Sequence, residues 1–177
     1  MKAQFWSLDV IFAIVIFMMT LLILSFAWFN ITNQFSISYN YGVAALQLQL
    51  QNLEQTIFTT GSPSNWNNLV NVSNTMTWSD IRIGIGTGSG TASISQDKLA
   101  AAIAMSNYNY NESKSAFGVG FDYYITITNN ATDIEFGHQP APHSPYAIYS
   151  AEVPIQINKI PYKMQIMVWT NSSFGVS

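Results

Sequence analysis

The hydrophobic pattern changes character twice along the chain. Residues 10–29, VIFAIVIFMMTLLILSFAWF, carry no charge, and Thr20 and Ser25 are their only polar side chains. About twenty helical residues span roughly 30 Å, the thickness of a bilayer hydrocarbon core, so this run predicts one membrane-spanning helix. Beyond Phe29 the apolar density falls, yet helical spacing persists. Val43, Leu46, Leu50, Leu53 and Ile57 recur at three- and four-residue intervals and define one apolar face, while Gln47, Gln49, Gln51, Asn52 and Gln55 supply much of the polar one. Asn40-Tyr41-Gly42 is a place for the rod to loosen or kink, because Gly weakens a helix interior. Gly61-Ser62-Pro63 has the order of Gly then Pro that stops a helix. An uninterrupted helix between Phe5 and Thr60 would be roughly 80 Å long.

After Pro63 the period shortens to two. Strands are expected at residues 81–85, 118–128, 133–136, 147–157 and 161–169. Tyr123, Ile125 and Ile127 alternate with Tyr124, Thr126 and Thr128, the pattern of a half-buried strand. Asn129-Asn130 and Asn158-Lys159 fit hairpin turns. Residues 96–105, QDKLAAAIAM, read as a short helix with Ser95 at its N-cap. The expected fold class is therefore α+β. A long N-terminal hydrophobic helix continues into an amphipathic half, which packs on a C-terminal, antiparallel β-rich head with one short helix.

Charge adds direction and excludes partners. Only 8% of the 177 residues are charged, against roughly 25% in ordinary soluble domains, and Asn, Ser, Thr and Tyr stand where Lys and Glu usually would. The six basic residues are scattered singly and the net charge is −3, so nothing supports nucleic-acid binding. Without cysteine there is neither a disulfide framework nor a thiolate metal site. Lys2 precedes the apolar run and no basic residue follows it until Arg82, an asymmetry that places the N-terminus in the cytoplasm and the rest outside. Three readings of the run compete: a plain signal anchor, a secretory signal peptide that is removed, and a retained helix that also assembles. Ser25-Phe26-Ala27 looks like a small-x-small cleavage site, but the run exceeds the 7–15 residues of an ordinary signal peptide's apolar region.

Candidate chemistry is sparse. Gly84, Gly86, Gly88 and Gly90 alternate through IGIGTGSG, but the spacing is not that of a dinucleotide fingerprint and no P-loop Lys follows, so the stretch reads as a flexible surface loop. His138 and His143, near Asp133 and Glu135, are the donors a metal would need, yet three prolines in HQPAPHSP favour a rigid exposed loop. No metal and no cofactor are expected. Nothing marks a serine as activated, so no enzyme is expected either. Tyr108, Tyr110, Tyr123, Tyr124, Tyr146, Tyr149 and Tyr162 read as core and interface aromatics. Five N-glycosylation sequons begin at Asn30, Asn71, Asn111, Asn130 and Asn171.

Lys2-Ala3-Gln4, then Ser7-Leu8-Asp9 and an unbroken apolar helix, resembles the class III (prepilin) signal peptide of archaeal type IV pilins and pilin-like proteins. Two departures stand out: the acidic residue is Asp9 rather than Glu, and Phe5-Trp6 adds a residue before Ser7. Further along, Gly61-Ser62-Pro63, Asn65-Trp66, Ile83-Gly84-Ile85 and the stretch between Ser95 and Leu99 are similar to many pilin-like heads, as is a last strand closing on Trp169. The resemblance implies cleavage between Ala3 and Gln4 by a prepilin peptidase on the cytoplasmic side. It divides the chain into a leader (1–3), a transmembrane and filament-core helix (4–60) and an extracellular head (61–177). It further implies a structural subunit of a surface filament, polymerising with copies of itself through the helix with the help of an assembly platform and ATPase. The subunit would sit in the cell membrane before assembly and in an extracellular filament after it, with adhesion among the roles. Asp9 would either pair with the amine freed on Gln4 or sit at headgroup level near the helix N-terminus. A minor pilin or pseudopilin, and a monomeric membrane-anchored binding protein, are the alternatives.

Overall fold

A computed structural model describes residues 3–71, 74–88, 92–142 and 147–171. Its first element is α1, Ala3–Ile57, a single helix that continues through Gly42 without a break in its assignment. By compactness the chain falls into two units, residues 1–42 with the last four residues, and residues 43–173.

In the first unit α1 is mostly apolar through residue 29, and three of its polar side chains, Thr20, Asn30 and Thr32, are turned to its own backbone. Thr20 Oγ1 donates to the Ile16 carbonyl at 2.8 Å, Asn30 Nδ2 to Phe26 at 2.9 Å and Thr32 Oγ1 to Trp28 at 2.9 Å. Each bond satisfies a side-chain donor without water, as a helix in hydrocarbon requires.

In the second unit the amphipathic face reads as expected. Leu46, Leu50, Leu53 and Ile57 are buried, while Val43, expected on the same face, is only half-buried. The helix stops at Ile57, earlier than the Gly-Pro signal, and its last carbonyls are taken up by residues from later in the chain. Ile57 O accepts from Ile85 and Gly86 N–H, both at 2.9 Å, and Thr59 O accepts from Gly86 N–H at 2.8 Å. Lys98 Nζ donates to Thr60 O at 2.7 Å. A helix end leaves carbonyls without partners, and here a clasp of distant residues supplies them.

That clasp corrects two expectations. Residues 81–85 are not a strand, because the N–H groups of Ile81, Ile83 and Ile85 go to Trp78 O, Ala116 O and Ile57 O rather than to a ladder, and Arg82 makes one bridge with Ser62. Nor are Gly84 and Gly86 part of a loose surface loop, since both are buried. A Cβ at Gly84 would run into Thr59 and the Gly61 backbone, and one at Gly86 into the Phe58 backbone, so only glycine lets the two chains approach. Trp66, fully buried, donates its indole N–H to Gly84 O at 3.0 Å and closes the same region.

Two short helices follow where one was expected. α2, Gln96–Tyr108, begins after Ser95, which has extended N-cap geometry but makes no side-chain cap bond. α3, Tyr110–Phe117, is capped by Asn109, whose side chain accepts from Glu112 N–H at 3.2 Å, and ends at Gly118 with φ +72°. The cap signals of α3 were present in the sequence, but its Tyr110, Asn111 and two serines are weak helix formers.

The sheet has five strands: β1 (Ser93–Ile94), β2 (Asp122–Thr128), β3 (Asp133–Gly137), β4 (Ala147–Ile157) and β5 (Ile160–Thr170), in the order β1-β4-β5-β2-β3. The four longer strands pair antiparallel, and the two-residue β1 lies parallel to the end of β4. β2 starts at Asp122 rather than 118 because Gly118 ends α3. At the β4–β5 turn Asn158 and Lys159 have φ of +53° and +67°, the two left-handed residues of a type I′ turn. Register places Tyr123, Ile125 and Ile127 beside Val168, Ile166 and Met164, and all six are fully buried. The α+β architecture is the one expected.

Candidate functional site

The most distinctive surface of the chain is the outside of α1. Asp9–Gln34 is long and apolar enough to cross a membrane, and every one of these side chains is exposed. Leu22, Ile23, Phe26 and Trp28 each show about 70% of their area (69, 70, 70 and 73%). A soluble protein would bury such a run; left in water it would cost about 1.5–3 kcal/mol for each large side chain. The surface therefore calls for an apolar cover, whether lipid or protein.

The absence of charge reaches further than a membrane does. After Asp9 the next acidic or basic side chain of α1 is Glu54, so residues 10–53 carry no charge at neutral pH. At 1.5 Å per residue this is about 65 Å of helix, twice the hydrocarbon thickness. Within it Tyr41 and Leu48 are exposed, the latter opposite the buried Leu46 and Leu50.

The residues singled out by sequence are distributed as follows. Ala3 and Gln4 are the first turn of α1, and their side chains lie outside the described set. Asp9 is exposed, at the start of the apolar span. Asn30 is within α1, Asn111 within α3, Asn130 in the β2–β3 turn, and Asn71 and Asn171 in exposed irregular segments. His143 and Tyr146 lie outside the described residues. His138 follows Gly137 at the far end of β3 from Asp133, so the strand holds them apart. Its ring sits edge-on between Tyr110 (5.5 Å) and Trp169 (5.6 Å), and its carbonyl accepts from the Trp169 indole at 2.9 Å. Among the described residues no group of three or more His, Cys, Asp or Glu side chains is gathered for a metal.

The tyrosines divide into interior and surface. Tyr123 is fully buried and its hydroxyl meets Ser113 Oγ at 3.0 Å and donates to Ser106 Oγ at 3.5 Å. Tyr110 OH accepts from Tyr123 N–H at 2.9 Å and donates to Asp122 at 3.1 Å, while Lys114 pairs with the same carboxylate at 3.3 Å. Burial raises the pKa of both phenols, and for Tyr110 the Asp122 charge adds to it. Tyr124 donates to Glu135 across the β2–β3 pair; burial first and that carboxylate second push its pKa up to about 12. Tyr108, by contrast, is more than half exposed. Sequence reading missed Lys98, whose ammonium is partly desolvated against Thr60 and has its pKa lowered by that burial. Nothing local signals its role, because its partner is in another element.

Among the described residues these interior polar groups are satisfied by one another, and they act in holding the fold. The surface with unmet physical demand is the apolar helix. Comparison with protein-family models, with curated proteins and with solved structures gives no match in any of the three.

Proposed function

We propose that this chain is a structural subunit of an archaeal type IV pilus-like surface filament that polymerises through α1. The observation that carries the reading is the neutral helix: residues 10–53 run about twice the length a bilayer can cover, with apolar side chains exposed along Asp9–Gln34 and again at Tyr41 and Leu48. Lipid alone accounts for the first stretch only. A bundle of identical helices accounts for both, and it needs no charge because any ionised group at its centre would be desolvated without a partner.

In this mechanism the membrane stores the subunit with its N-terminus inside and the head outside. A prepilin peptidase cuts between Ala3 and Gln4, and Asp9 then faces the new amine of its own or a neighbouring copy. Transfer of α1 from lipid to a helix bundle is roughly balanced, since tails and packed side chains are similarly apolar. Side-chain packing and head contacts set the direction, and an assembly ATPase drives extraction. The chain has a building role and no catalytic one.

Mass spectrometry of the N-terminus, on protein from native envelopes and from sheared surface material, tests the proposal. A terminus at Gln4 in the sheared fraction is the expected result. A terminus at Met1, found in membranes alone, makes the chain an uncleaved, monomeric anchor. Cleavage after Ala27 makes it a secreted head and overturns the reading.

A further inference from the structure

The fold treats the five sequons differently. Asn30 lies inside α1 and its amide is spent on the Phe26 carbonyl at 2.9 Å. Asn111 is exposed on α3, but its sequon hydroxyl, Ser113, is fully buried, donating to Tyr110 O at 2.8 Å and meeting Tyr123 OH at 3.0 Å. The sequons at Asn71 and Asn171 include residues outside the described set. Asn130, Ala131 and Thr132 are all exposed in the turn between β2 and β3. The neighbouring Asn129 holds that turn, its Oδ1 accepting from the N–H groups of Ala131 (2.9 Å) and Thr132 (2.7 Å). The acceptor amide is thus left out of the turn's own bonding, beside a hydroxyl in the open.

Asn130 also borders a cleft of about 440 Å³ between the tips of two hairpins, whose other wall is Ile160, Pro161, Tyr162 and Lys163. Ile160 is 51% exposed and Pro161 is exposed beside it. An apolar, partly aromatic wall facing the amides of Asn129 and Asn130 is the mixed lining that a sugar meets with its C–H face and its hydroxyls respectively, while Lys163 on that wall is paired with Glu152 at 2.8 Å.

We propose that Asn130 carries an N-linked oligosaccharide whose first sugars lie in this cleft against Ile160, Pro161 and Tyr162. The proposal rests on the reading that residues beyond the span are outside the cell. The donor class is a lipid-phosphate-linked oligosaccharide, used by a membrane transferase. A bond forms between Asn130 Nδ2 and the anomeric carbon as the bond from that carbon to the phosphate oxygen breaks. The lipid phosphate leaves with the electron pair, and the amide gives up one proton to the transferase's base.

The six basic residues make trypsin a convenient sorter. Peptide 115–159 holds Asn130 as its sole sequon, peptides 99–114 and 164–177 hold Asn111 and Asn171, and Asn30 shares the N-terminal peptide ending at Arg82 with Asn71. The experiment maps these peptides by mass in full-length protein from native envelopes, with protease accessibility of the head in intact cells measured in parallel. Sugar mass on 115–159 and none on 99–114 is expected, with complete loss in Asn130→Gln and in Thr132→Ala. Tyr162→Ala keeps the glycan but exposes it, so glycosidase release becomes several-fold faster. An accessible head with unmodified 115–159 overturns the glycan and spares the filament reading, whereas an inaccessible head overturns both. An unchanged release rate in Tyr162→Ala overturns the placement in the cleft.

Discussion

At the scale of residues, the glycines around α1's end and the buried phenols show how much one atom decides. Gly86→Ala places a methyl against the Phe58 backbone and Gly84→Ala places one against Thr59, so neither site can yield through a side chain alone. Each substitution is expected to lower head stability by about 1–3 kcal/mol in chemical unfolding of the detergent-solubilised chain. Gly120→Ala, with open space around it, serves as the neutral comparison. Tyr124 makes a separate prediction through pH. Its folded pKa of about 12 lies above the ordinary phenol value of 10.0, so between those values the unfolded chain has lost a proton that the folded one keeps. Stability from this group is complete below pH 10 and falls as pH rises toward 12. Tyr124→Phe removes that component of alkaline unfolding, which phenolate absorbance and circular dichroism read together. Neither effect could be taken from the sequence. IGIGTGSG has the composition of a loose loop, and the packing of Gly86 and Gly84 against Phe58 and Thr59 is a long-range fact; Glu135 and Tyr124 meet only once β2 and β3 are in register.

Elements were more legible, and for reasons that differ between helix and sheet. The three- and four-residue spacing of Leu46, Leu50, Leu53 and Ile57 depends on period alone, and these four side chains are the ones buried. The hairpins were legible in Asn129-Asn130 and Asn158-Lys159, because positive φ at the second turn demands residues such as Asn. α3 was not, since Tyr110-Asn111-Glu112-Ser113 carries no strong propensity and is held by Asn109 at one end and Gly118 at the other. The two opposite faces of α1 supply a paired test of fold against assembly. Leu46→Ala, at a fully buried position, should destabilise the head by about 2–5 kcal/mol. Leu48→Ala, at a position 57% exposed, should leave unfolding within about 0.5 kcal/mol of wild type while reducing the yield of sheared filaments. Loss of filaments in both, with equal loss of stability, would show that Leu48 supports the head and not a neighbouring copy.

On the scale of the whole molecule, the candidate surface was the most legible part, because membrane demand is written in composition and needs no tertiary contact. What composition could not supply is how α1 is fastened to the rest of unit two. The carbonyls of Ile57, Thr59 and Thr60 are held by Ile85, Gly86 and Lys98, residues that follow them by some distance in the chain. In mechanical terms this clasp is a joint. A pull along α1, such as extraction from a membrane would apply, reaches the head through several short bonds clustered at one place. They share the load with the covalent chain at Phe58 and with the buried face of Leu46, Leu50, Leu53 and Ile57, so a pull meets this joint before it meets the sheet.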